Sequence, residues 1–157
     1  MTPDRSQKMS EALRKNMILT LECTALNENG EGIGRLDDGM VVFCRGLLPG
    51  ERGKVRIIKL RASYAIGKLL SRENDSHLRR PDGEICPNFQ KGCGSCAICH
   101  VNGAGQLELA ADRVRDCLVR IGGFDRDALK VEDCLTVRAP ATYRNKTVYP
   151  FFSENGR

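Results

Sequence analysis

The 157-residue chain contains no tryptophan, and aromatic residues make up only 5% of it. So little ring bulk excludes a large self-sufficient core, and part of the stability is expected to come from a bound metal or a neighbouring segment. Also missing is any apolar run long enough to cross a bilayer. Residues 1–15 lack the apolar stretch of a secretory leader. The expectation is therefore a cytoplasmic protein with no membrane partner. Cysteine is not scarce, with eight in the chain, and in a reducing compartment that number points to metal or redox chemistry in preference to a disulfide framework.

Negative charge is scarce in one region. The whole chain carries +5, but between Arg45 and Arg80 ten basic residues stand against three acidic ones, a net +7 that leaves the remainder at −2. Concentrated basic charge is the footprint of a polyanion partner, usually nucleic acid. A solvated basic surface that only maintains solubility is the plain alternative.

Periodicity divides the chain. Residues 1–16 are polar with a weak helical pattern and read as a flexible tail. From Ile18 the period becomes two, with Leu19, Leu21, Cys23 and Ala25 on one face of a half-buried strand. Asn27–Arg35 contains three alternating glycines, and no helix follows as a phosphate loop would require, so they read as hairpin and bulge positions. Met40–Cys44 is a short strand, and Leu48-Pro49-Gly50-Glu51 a type II turn. Arg52–Leu60 alternates with Val55 and Ile57 inward and Lys54 and Arg56 outward, and Tyr64–Leu70 is the last strand. Short strands joined by tight turns over residues 17–71 predict a small closed barrel of oligonucleotide-binding (OB-like) type.

Residues 72–85 are polar, unpatterned and read as a linker. Gly103–Ile121 has apolar residues spaced by three and four, predicting an amphipathic helix stopped by Gly122-Gly123, with Cys117 in its apolar stripe. Leu129–Val137, carrying Cys134, and Thr142–Phe152 read as strands. The fold class is thus α+β, a β-barrel followed by a cysteine loop, a helix and the start of a central sheet over residues 86–157.

Four cysteines, Cys86, Cys93, Cys96 and Cys99, fall within fourteen residues among glycines and polar side chains. Thiols in such surroundings are ligands more readily than core. The C-x6-C-x2-C-x2-C spacing suits a loop wrapped around an iron-sulfur cubane. Zinc usually takes two separated pairs, and Cys96-Ala97-Ile98-Cys99-His100 also matches the C-x-x-C-H of haem attachment. All three remain open on spacing alone.

Gly30-Glu31-Gly32-Ile33-Gly34-Arg35, Val42-Phe43, Leu48-Pro49-Gly50-Glu51, Cys86-Pro87 with Phe89, Cys93-Gly94-Ser95-Cys96, and Tyr143-Arg144-Asn145-Lys146 occur in an order and spacing that resemble the N-terminal portion of the RNA uracil-5-methyltransferase family, over residues 18–150. The resemblance implies a TRAM barrel that binds RNA, with contacts from Lys54, Arg56, Lys59 and Arg61 and further ones from Arg144 and Lys146. It implies a [4Fe-4S] cluster on Cys86, Cys93 and Cys96, with zinc as runner-up. In the family the fourth cluster cysteine lies further along, which leaves Cys99 as a spare thiol or a substitute ligand. The family's S-adenosylmethionine site, nucleophilic cysteine and general base also lie further along, so no catalytic residue is expected here. The chain would be an N-terminal fragment whose missing C-terminal domain performs catalysis on ribosomal or transfer RNA. The alternative is a free-standing RNA- or metal-binding module with a local four-cysteine zinc or iron-sulfur site.

Overall fold

The structure, a computed structural model, describes residues 13–136. These divide into two compact units at Leu109/Ala110. Among the described residues no helix is long and apolar enough to cross a membrane.

The first unit is built on six strands, β1 (Ile18–Glu22), β2 (Ala25–Leu26), β3 (Glu31–Arg35), β4 (Val41–Arg45), β5 (Arg52–Leu60) and β6 (Tyr64–Arg72). They form one sheet in the order β1-β5-β6-β4-β3-β2, antiparallel except for the β4–β6 pair. Its inner face buries Leu21, Val42, Val55, Ile57 and Ala65 together with the thiols of Cys23 and Cys44. Each large aliphatic side chain there contributes about 1.5–3 kcal/mol. Leu13 packs on this core, and Asn16 N–H donates to the Ile57 carbonyl at 2.8 Å. Residues 13–16 of the expected tail are thus part of the barrel.

The sheet curls but its ladder stays open, a half-barrel where full closure was expected. The continuous strand expected from Ile18 breaks at Cys23-Thr24, because here the chain leaves β5 and crosses to the opposite edge. Cys23 N–H donates to the Glu51 carbonyl and Thr24 N–H to the Ile33 carbonyl, both at 2.8 Å. The glycine-rich stretch corrects a second expectation, since Glu31–Arg35 is strand and not turn. Gly32 and Gly34 face the core, and a β-carbon on Gly34 would lie 2.5 Å from both the Glu22 carbonyl oxygen and the Leu21 side chain. Bare inward positions let β3 receive the end of β1. The Leu48–Glu51 turn forms as expected, with Gly50 at φ +83° and Glu51 N–H bonded to the Leu48 carbonyl.

Residues 72–85 are not a free connector. Leu78 and Ile85 are buried, Leu78 joining Leu48 and Val101 in a second small core, and Arg79 pairs in a two-residue bridge with Val101. A short helix α1 (Pro87–Gln90) opens the cysteine loop, and α2 (Gly103–Arg120) follows it. Asn102 caps α2 by accepting the Gly105 N–H on its side-chain oxygen at 2.7 Å.

In the second unit α2 ends where expected, with Gly123 at φ +69° and Phe124 N–H bonded to the Leu118 carbonyl. Its apolar stripe is not buried among the described residues, for Val114, Cys117 and Ile121 are exposed. Cys117 is therefore not the core residue that its helical spacing suggested. Leu129–Thr136 forms no strand, and Cys134 is exposed. The strand expected over Thr142–Phe152, with Arg144 and Lys146, lies outside the described residues.

Candidate nucleic-acid interface and cysteine loop

Strand parity decides where the basic residues go. On β5 Gly53, Val55 and Ile57 point inward, so Arg52, Lys54 and Arg56 are exposed on the outer face. Irregularities at Lys54/Val55 and Ile57/Lys59 keep Lys59 exposed as well, opposite Ile66 of β6. Arg61 follows β5, its N–H bonded to the Tyr64 carbonyl at 2.8 Å. On β6 the same parity exposes Lys68, which sits opposite Arg56 on one side and Arg45 on the other. Three cations thus lie side by side across β5, β6 and β4. Like charges placed directly opposite destabilise a sheet, so a row like this is suited to a bound polyanion.

Ion pairing separates these cations from the others in the basic stretch. Arg72 is held by Asp75 and Asp82 at 2.9 and 2.8 Å, Arg79 by Glu51, and Arg52 lies 3.8 Å from Glu73. Lys54, Arg56, Lys59, Arg61 and Lys68 make no ion pair among the described residues. The structure therefore brings Lys54 and Arg56 together with Lys68 and Arg45, two residues that sequence reasoning missed. Their outward parity in Tyr64–Leu70 and Val41–Arg45 was the available signal.

Arg45 also reaches the cysteine loop. Its Nη2 donates to the Cys93 carbonyl at 2.6 Å, and its guanidinium carbon stands 5.0 Å from the centre of the Phe89 ring. Phe89 in turn stacks on His100, with ring centres 5.0 Å apart and planes at 22°. His100 is buried, and neither ring nitrogen has a hydrogen-bond partner among the described residues. Burial, reinforced by the charge of Arg79, pushes its pKa down to about 4. A ring so enclosed is poorly placed as an axial haem ligand.

The cysteines fall into two chemical groups. Cys23 and Cys44 are core thiols, driven by burial to pKa values of about 11 and about 12. Cys86, Cys93 and Cys96 are exposed on the loop, and Cys99 is half-buried. Cys93 Sγ lies 3.4 Å from Ser95 Oγ, and that contact holds the Cys93 thiol below its usual range. Among the described residues no three His, Cys, Asp or Glu side chains converge as a metal cage. The loop gathers the right donors in one segment without closing them around a point.

Comparison with known proteins agrees with this architecture. Residues 15–70 match the TRAM domain family. A Clostridium tetani protein named uncharacterized RNA methyltransferase is 35% identical over 145 residues, covering 92% of this chain and 30% of its own length. Proteins of the same name from Bacillus cereus and Synechocystis sp. are 32% and 35% identical over 151 residues, 96% of this chain and 32% and 31% of theirs. The chain spans about a third of the length of these relatives. A solution structure of a conserved protein from Methanococcus maripaludis overlaps 45% of this chain and all of its own, at 18% identity and a TM-score of 0.36. Residues 15–70 are thus similar to the TRAM domain family, within a chain that over most of its length is similar to proteins named RNA methyltransferase.

Proposed function

We propose that this chain is the RNA-gripping portion of an RNA uridine C5-methyltransferase that acts in the cytoplasm on ribosomal or transfer RNA. The observation that carries the reading is the set of cations Lys54, Arg56, Lys59, Arg61 and Lys68, without an ion pair among the described residues, on a TRAM-like barrel. Phosphate contacts of this kind supply affinity and position, and leave base identity to other groups.

In this reading S-adenosylmethionine binds in a catalytic portion outside the chain. There a thiolate would add to C6 of the target uracil, C5 would take the methyl group from the sulfonium with release of S-adenosylhomocysteine, and a base would remove the C5 proton as the C6–S bond breaks and the thiolate leaves. The barrel holds the RNA while the target nucleotide is turned out of its stack. Arg144 and Lys146 add contacts.

Cys86, Cys93 and Cys96 suit a [4Fe-4S] cluster by donor chemistry, being exposed soft ligands uncommitted to any core. Cys99 or a cysteine outside the chain serves as the fourth ligand. When bound, the cluster would supply a rigid cross-link for the loop, because methyl transfer requires no electron transfer to or from it. Zinc in place of iron and sulfide after anaerobic purification would overturn this assignment.

The RNA reading is tested by titrating labelled RNA with the full chain at several salt concentrations. Replacing Lys54, Arg56 and Arg61 by Ala is expected to weaken binding and to flatten the salt slope by about one charge each. An unchanged slope would mean that the basic face is only a solvated surface.

A further inference from the structure

Between the cations the outer face is apolar and carries two rings. The parallel register of β4 and β6 sets Val41 beside Tyr64, Phe43 beside Ile66 and Arg45 beside Lys68. On the other side of β4, Ile33 lies opposite Phe43 and Arg35 opposite Val41. Tyr64, Ile66, Phe43, Val41 and Ile33 are all half-exposed. The Phe43 and Tyr64 rings meet edge to face, with centres 5.6 Å apart and planes at 69°.

Cations border this band. Lys59 lies opposite Ile66, Arg61 is bonded to the Tyr64 backbone, Arg35 stands at the β3 side, and Lys68 and Arg45 close the far end. One carboxylate beside the band, Glu31 opposite Arg45, is held by Asn27 Nδ2 at 2.8 Å.

We infer that Phe43 and Tyr64 form a stacking platform for unpaired nucleotides, so that the barrel binds single-stranded RNA in preference to duplex. The inference rests on the RNA reading above and adds which form of RNA the face accepts. A duplex offers phosphates and groove edges while its base faces are already stacked, which would leave the apolar band without a counterpart. An unpaired strand offers both, with bases for the rings and phosphates for the cations around them.

The chain has no tryptophan, so Tyr64→Trp supplies a single reporting indole. The Tyr64→Trp variant of this chain is titrated with an oligouridine of about 12 nucleotides and with a duplex of equal length. The expected result is quenching of the indole by oligouridine and tighter binding of the single strand. Phe43→Leu, which keeps the position apolar, is expected to weaken oligouridine binding about tenfold without changing the salt slope. Salt-dependent binding with no quenching, no effect of Phe43→Leu, or equal affinity for duplex would overturn the platform and leave the RNA reading standing. Failure to bind either RNA would bring down both.

Discussion

Glu51 and Arg79 form a buried, two-pronged ion pair that fastens residues 76–79 to the Leu48–Glu51 turn. The Glu51 side chain is fully buried, that of Arg79 is 5% exposed, and Arg79 Nη2 donates to Glu51 Oε2 at 2.6 Å while Nε donates to Oε1. The carboxylate also accepts the backbone N–H groups of Leu48 at 2.9 Å and Ser76 at 3.1 Å. Arg79→Ala would leave that charge buried with only the two amides, which costs about 3–5 kcal/mol. Urea unfolding of the two proteins measures it. Arg79→Lys, which keeps the charge but not the fork, should lose less.

Curling of the half-barrel depends on the bare faces of β3 and β6. A β-carbon on Gly67 would lie 2.1 Å from Val55 Cγ1, and one on Gly34 would meet the Glu22 carbonyl. Gly34→Ala and Gly67→Ala are each expected to lower stability by about 1–3 kcal/mol. Gly39→Ala in the β3–β4 turn, with open space around it but a φ of +86°, should show only the smaller backbone penalty. Thermal melts of the three variants compare packing with backbone strain.

Thiol chemistry separates ligand candidates from core. Brief alkylation of the metal-free protein near pH 8, read by peptide mass spectrometry, should label Cys86, Cys93, Cys96, Cys117 and Cys134, with Cys93 fastest because Ser95 lowers its pKa. Cys23 and Cys44 should stay unlabelled until the protein unfolds, as their raised pKa values and burial require.

The buried imidazole of His100 makes stability depend on pH. Its folded pKa of about 4 lies below the value of 6.5 in the unfolded chain. Between those limits the unfolded state takes up a proton that the folded state refuses. Stability is therefore complete above about pH 6.5 and falls as pH drops toward 4, by roughly 3 kcal/mol in all. His100→Leu should remove this slope at little cost at neutral pH, because neither nitrogen has a partner to lose among the described residues. Unfolding titrations at pH 7, 5.5 and 4.5 read the effect.

The barrel was largely legible in the sequence because Leu21 and Val55 sit between polar neighbours and Ile57 continues the period of two, and that alternation maps onto the inner face. Strand β3 was hidden because its inward positions are Gly32 and Gly34, which carry no hydrophobic signal. Residues 72–85 read as a linker because their anchor is an ion pair with a residue more than twenty positions away, and periodicity cannot register that. Cys117 misled for the opposite reason, since helical spacing marks a stripe without saying what covers it. The cation row needed the β4–β6 register, because Arg45, Arg56 and Lys68 meet only across three strands.

The most direct test of the central claim is photocrosslinking of the full chain to an oligonucleotide containing 4-thiouridine, with the crosslinked peptides identified by mass spectrometry. Crosslinks on Val41–Arg45 and Tyr64–Arg72, lost on competition with unlabelled single strand, are predicted. Crosslinks confined to Gly103–Arg120, or none at RNA concentrations that saturate binding, would contradict the assignment of the barrel's outer face as the RNA surface.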